Sequence, residues 1–244
     1  MNSGMYSALS GSIAAMKRLD IISNNLANVN TPGFKKDKML FESMLNSNAY
    51  GPTVPNGSTA DPILQKDSVY IDYSHGSVTQ TGNVLDLAID GDGFFIVNTP
   101  EGPAYTRQGN FRIAADGTLV TSDGYPVMGD GGPLILQGGI VDVNSEGMVK
   151  VDGSPVGTLS VVDFPKPYRM TKIGSALFRP SDAQMQPKPK EFSVRQGHLE
   201  SSNVDAITEM VQMIETSRYF DSCQRVIRGF DDMAAKAVGE LGKV

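Results

Sequence analysis

Tryptophan is absent from this chain of 244 residues, cysteine occurs once, histidine twice, and no basic residue precedes Lys17. Each shortage excludes something. Without Trp there is no indole to stack on a sugar ring. The single cysteine, Cys223, cannot close an internal disulfide, and a small buried apolar residue is a better reading of it than a reactive thiol. His75 and His198 stand far apart with no Cys or His beside either, so a zinc site of ordinary spacing is unsupported. No apolar run approaches the ~18 residues that a bilayer-crossing helix needs. The N-terminus has no basic head, apolar core or small-residue cleavage site, so no cleaved secretory signal is expected. The net charge of −6, with no clustered Lys and Arg, argues against a nucleic-acid partner, because neutralising phosphates needs concentrated positive charge.

What the chain does have is unevenly placed. Residues 1–46 contain one of the 14 prolines and residues 199–244 none, whereas residues 47–198 hold the other 13 together with 20 of the 26 glycines. Pro and Gly are the strongest breakers of helices, so the two ends read as helical and the middle does not. The boundaries expected are 1–46 for an N-terminal helix and its exit turn, 47–198 for a β-rich domain with linkers, and 199–244 for a C-terminal helix. Linker-like composition at Tyr50 to Ala60 and Asp182 to Lys190 marks the crossings.

In the first segment Met5, Leu9, Ile13, Met16, Leu19, Ile22, Leu26 and Val29 recur at steps of three or four, which keeps one stripe on a helix over about 3–29. Ser12, Lys17, Asp20 and Asn24 occupy its other face. In the last segment Val204, Ile207, Val211 and Ile214 form one stripe. After Ser217 a heptad follows through Phe220, Cys223, Ile227, Phe230, Ala234, Ala237 and Leu241, with a register shift between the two and a helix over about 200–241. Isolated helices are marginal in water, so these segments are expected to order against each other or against other subunits.

The middle reads as short strands separated by turns. Leu85 to Ile89, Asp90-Gly91-Asp92-Gly93 and Phe94 to Val97 suggest a hairpin. Further turns at Ala115-Asp116-Gly117, Ser122-Asp123-Gly124, Asn144 to Gly147 and Asp152-Gly153 suggest an antiparallel sandwich or open barrel. The fold class expected is therefore α+β: long terminal helices forming a discontinuous coiled-coil-like domain around an antiparallel β middle.

No catalytic, cofactor or metal site emerges. Asp90-Gly91-Asp92-Gly93 opens like an EF-hand loop, but the remaining oxygen ligands are missing, so a turn is the better reading. No G-x-S-x-G element accompanies the two histidines. A two-carboxylate glycosidase stays open on acidic content alone, although most of those acids sit in Asp-Gly or similar turns with a structural job. The distinctive feature is the asparagine crowd Asn24, Asn25, Asn28 and Asn30 before Thr31-Pro32-Gly33. One Asn suffices to stop a helix, and this end has four.

Asn24 to Asn28 (NNLAN) with Thr31 to Lys35 (TPGFK) resembles the N-terminal signature of the bacterial flagellar rod and hook proteins. Asp86 to Val97 (DLAIDGDGFFIV), Tyr105 to Phe111 (YTRQGNF) and Leu119 to Tyr125 (LVTSDGY) resemble the family's β region. Gly197 to Asp205 (GHLESSNVD), Glu209 to Glu215 (EMVQMIE) and Arg218 to Asp221 (RYFD) resemble its C-terminal block. Met5 to Gly11 (MYSALSG) and RYFD are most like the proximal rod members, with distal rod members second. The resemblance implies a structural subunit of the basal-body rod, without catalysis, cofactor or small-molecule substrate. Its partners would be copies of itself, other rod proteins and the flagellar export apparatus. It would lie in the periplasm, after export without a cleaved signal, with the terminal helices inside and the β body outside. It also implies a subunit interface built from Met5, Leu9, Ile13, Met16, Leu19, Ile22, Leu26, Val204, Ile207, Val211, Ile214, Phe220, Ile227 and Phe230. Asn24, Asn25, Asn28, Asn30 and Asn203 would join it through amide bonds to adjacent chains, and Pro32 and Gly33 would turn the chain outward.

Overall fold

A computed structural model describes residues 2–43, 65–174, 176–182, 186–189 and 192–241. They divide into two compact units: Met1–Ala27, Asp37–Asp72 and Asp205–Val244 form one, and Asn28–Lys36 with Tyr73–Val204 form the other. The architecture is α+β, with a helix at each end of the chain and antiparallel strands between.

The first unit contains α1 (Asn2–Ala27), α2 (Ala206–Leu241) and a two-stranded antiparallel ribbon. In the ribbon Asp37–Ser43 pairs with Gln65–Ile71. The sequence places the start of the C-terminal helix near residue 200, but α2 begins at Ala206. The cause is a cap: the Asp205 carboxylate accepts from the Ile207 amide at 3.0 Å, the Thr208 amide at 3.5 Å and the Thr208 hydroxyl at 3.0 Å. A side-chain oxygen that satisfies first-turn donors fixes where a helix starts, and the residues just before it, His198–Glu200, are a strand. The shift expected near 214–220 leaves α2 unbroken.

The second unit is β-rich. Its largest sheet is antiparallel with the order Met170–Lys172, Leu177–Pro180, Gly102–Thr106, Phe94–Thr99, Val161–Asp163, Lys188–Pro189. A three-stranded sheet joins Val141–Val143, Met148–Val151 and Ser154–Thr158. The turn at Asp152-Gly153 has positive φ at both residues, 50° and 81°, which is the mirror-image turn whose twist suits a tight hairpin. Leu87, Phe95, Val97, Val127, Leu136 and Leu159 are among the most deeply buried core residues.

The hairpin expected around Asp90 to Gly93 is corrected. Leu87–Asp90 pairs with Ser193–Gln196 from the far end of the unit, and Phe94–Thr99 pairs with Gly102–Thr106. Leu87, Ala88 and Ile89 are buried in succession, so the strand is covered on both faces. The glycine turn carries the chain between two sheets. Similarly His198–Glu200 pairs with Val78–Gln80. The linker expected at Tyr50 to Ala60 lies outside the described residues. Of the second, Asp182 to Lys190, the described part includes Lys188–Pro189 as an edge strand.

Candidate functional site

Three approaches fix the antiparallel alignment of α1 and α2. A β-carbon on Gly4 would lie 3.0 Å from the Phe230 ring, and one on Gly11 would lie 2.8 Å from the Tyr219 hydroxyl and 3.2 Å from the Cys223 sulfur. At the other end of α1 the Asn25 amide reaches the Glu209 carboxylate at 3.4 Å. The seam is therefore made largely of small side chains: Ala14 and Ala15 are buried on α1, with Thr216 and Cys223 on α2. Small residues let helices approach closely, and here they leave a cleft of about 410 Å³ lined by Gly11, Ala14, Ala15, Arg18, Glu215, Thr216 and Tyr219.

The large apolar residues point elsewhere. Met5, Leu9, Ile13 and Met16 of α1 and Ile207, Met210, Val211 and Ile214 of α2 are exposed by between 41% (Met5) and 72% (Ile207). At about 100° per residue each set lies roughly half a turn from its helix's seam residues. The two stripes read along the C-terminal segment are thus two faces of one continuous helix. Ile207 to Ile214 faces away from α1, whereas Cys223 is buried and Phe220, Ile227 and Phe230 are half-buried. On α1, Ile22 is buried and Leu19 and Leu26 are half-buried. Val204 is buried in the β unit.

The asparagines do not form one cluster. Asn25 is 1% exposed, and its amide is engaged inside the helical unit: Nδ2 donates to the Asp37 carbonyl at 3.0 Å and Oδ1 accepts from the Asp37 amide at 2.9 Å. The ribbon's first residue is thereby fastened to α1. Asn28 belongs to the β unit, where its Oδ1 accepts from the Thr31 hydroxyl at 3.2 Å and its carbonyl accepts from the Thr31 amide. Asn24 and Asn30 are exposed. Asn203 clamps the segment after the exit turn within the β unit, accepting from the Lys36 amide at 2.7 Å and donating to the Ser74 carbonyl and hydroxyl, both at 3.1 Å.

The exit turn rests on a buried ionic cluster. Pro32 is half-buried, and Gly33 takes φ = 67° and donates its amide to the Glu200 carbonyl at 2.8 Å. A β-carbon there would stand 2.3 Å from the Arg107 carbonyl carbon, so both the backbone angle and the space demand glycine. Phe34 is buried beneath the Lys172 ammonium, 4.2 Å above its ring. Lys35 is 1% exposed and donates to Glu200 Oε1 at 2.6 Å and to the Ser74 carbonyl at 2.8 Å. Arg107 donates to Glu200 Oε2 at 3.2 Å and to the carbonyls of Ile89 and Gly91. Burial lowers the Arg107 pKa below its ordinary value, an effect opposed by Glu200. The half-exposed His75 adds an Nε2 contact to Asp92 at 3.3 Å. Sequence reasoning singled out Pro32 and Gly33 but missed this trio. The signal was available, because Lys35, Arg107 and Glu200 each sit inside one of the three motif blocks.

A seam of small residues with large apolar residues left on both outer faces is the pattern of a structural subunit, since exposed apolar patches mark surfaces that partners cover. Comparison with known proteins specifies which. Residues 5–35 match the family described as flagella basal body rod protein, residues 88–173 the flagellar hook protein FlgE/F/G D1 domain, and residues 195–239 the flagellar basal body rod FlgEFG protein C-terminal region. The chain is 38% identical over 265 residues to the flagellar basal-body rod protein FlgG of Bacillus subtilis, covering 96% of this chain and 97% of that protein. It is 36% identical over 249 residues to FlgF of Rhizobium meliloti, covering 99% of each, and 33% identical to FlgF of Caulobacter vibrioides over the full length of both. The chain belongs to the flagellar basal-body rod protein family and is a structural subunit of the rod. The relatives do not favour a glycan-cleaving domain.

Proposed function

We propose that this chain is a proximal rod subunit, acting without catalysis, whose helical unit forms the inner layer of a hollow drive-shaft and whose β unit lies outside it in the periplasm. The export apparatus would deliver it unfolded, and copies of itself and other rod proteins would then cover its helix faces. The observation that carries this reading is the pair of outward apolar faces. Burying the remaining surface of those eight side chains contributes about 1 kcal/mol each, roughly 8 kcal/mol per copy. Association costs about 4–15 kcal/mol in lost freedom. A single contact of this size is therefore marginal, and a copy held by several neighbours at once is not.

Asn24, Asn28 and Asn30 are proposed to reach adjacent chains, while Asn25 and Asn203 act inside their own. The proximal position is supported by the MYSALSG opening and by RYFD at Arg218 to Asp221. Deleting the gene and imaging basal bodies by electron microscopy tests the reading. Rods that stop near their base are expected, and complete flagella would overturn it.

A further inference from the structure

Resting on that reading, we propose that the outward face of α1 in one copy packs against the outward face of α2 in a second copy, displaced along the helices by about 20 Å. The contact is head-to-tail and does not close.

The geometry follows from the intrachain alignment. Pairs across the seam are Gly4 with Phe230, Gly11 with Cys223 and Asn25 with Glu209. Position numbers across the seam therefore sum to about 234. Suppose two copies stood side by side at equal height with their axes aligned. The same sum would then hold across the new contact, placing Leu9 against Arg225, Met16 against Arg218 and Asp20 against Ile214. All three charged residues lie on the outward faces by helical spacing. Each such contact buries a charge against an apolar side chain, which is unfavourable unless the charge is paired.

Sliding one copy by about 13 residues, close to 20 Å at ~1.5 Å per residue, removes the conflict. Leu9 then falls opposite Val211 and Ile13 opposite Ile207, apolar on apolar. The α1 segment offered to that contact carries no charge before Lys17. Pairing two α2 faces about a two-fold axis would instead leave both α1 faces uncovered. One staggered contact covers both kinds of face, and a head-to-tail contact with an axial step repeats into a helical array, not a closed dimer.

Disulfide trapping in rods tests the register. In a strain whose only copy carries Cys223→Ala, Leu9→Cys with Val211→Cys should give oxidant-dependent dimers and higher multimers in isolated basal bodies. They should exceed those of either single variant at least several-fold. Ile13→Cys with Ile207→Cys reports the same register and serves if the first pair impairs assembly. Leu9→Cys with Arg225→Cys, the equal-height register, should stay unlinked. Linkage of that pair, dimers from Leu9→Cys alone, or intact rods without linkage by either staggered pair would each overturn the proposal. The rod reading would stand in all three cases because rods would be present. A gene deletion that leaves flagella complete would sink the rod reading separately.

Discussion

Glu200→Gln isolates the charge of the buried ionic cluster. Glutamine keeps an acceptor for the Gly76 amide, which now donates to Glu200 Oε1 at 3.1 Å, but leaves Lys35 and Arg107 as two cations without a buried anion. Both are almost wholly removed from water, with side chains 2% and 3% exposed. Removing one partner of such a pair costs about 3–5 kcal/mol, because the other charge stays buried and uncompensated. In a β unit of this size that corresponds to a fall of roughly 10–20 °C in Tm. Circular dichroism of the purified full chain reads it, since no tryptophan is present for fluorescence. The strand transition should be followed separately from the helical one. Adding Lys35→Met should recover part of the loss, because it removes one stranded cation. A Glu200→Gln chain within 1 kcal/mol of the parent would refute the reasoning, as would a double variant whose losses simply add.

Gly33→Ala should destabilise the β unit by about 3 kcal/mol or more, since strain at positive φ adds to a clash with the Arg107 backbone; urea titration of the strand signal checks it, and an unchanged midpoint would contradict it. Asn25→Ala should cost about 1–3 kcal/mol by leaving the Asp37 amide and carbonyl short of partners, and hydrogen exchange should quicken at Asp37 while the β unit stays protected. Tyr168 donates to Asp163 at 2.8 Å, and burial first, then that bond, raises its pKa. Its neutral form is thus favoured in the folded state, so its stabilisation is complete below the ordinary phenol pKa of about 10 and declines as pH rises beyond it. Tyr168→Phe should flatten the alkaline limb of the stability–pH curve. Gly11→Leu should part α1 from α2, seen as loss of helical signal in the free chain with the strand signal retained.

The helices were legible because their apolar positions repeat at steps of three and four over many turns, and most hairpin turns because Asp-Gly and Asn-x-x-Gly favour tight reversals, although Asp90 to Gly93 joins two sheets instead. Strand partners were not. Leu87–Asp90 finds Ser193–Gln196 more than a hundred positions away, and nothing local in either segment names the other. The helix faces were half legible. Met5 to Met16 and Ile207 to Ile214 stood out by hydrophobicity, yet which face meets the chain's own partner helix was decided by Gly11, Ala14 and Ala15, whose smallness carries no periodic signal. Asn25 shows the same limit, since its bonds to Asp37 exist only once the ribbon folds back. Lys35, Arg107 and Glu200 were marked by their places in the three motif blocks, yet nothing local in any block says that the three charges meet.

Methionine oxidation reads the uncovered faces without any mutation. Met16 and Met210 lie one on each outward face, exposed by 53% and 45%, and solvent access governs how fast a thioether becomes a sulfoxide. Dilute peroxide followed by peptide mass spectrometry, applied to the free chain and to isolated rods, should show both oxidising readily in the free chain and at least about tenfold more slowly in rods. Equal rates in the two states, or protection of both in the free chain, would contradict a subunit whose helix faces are covered only by assembly.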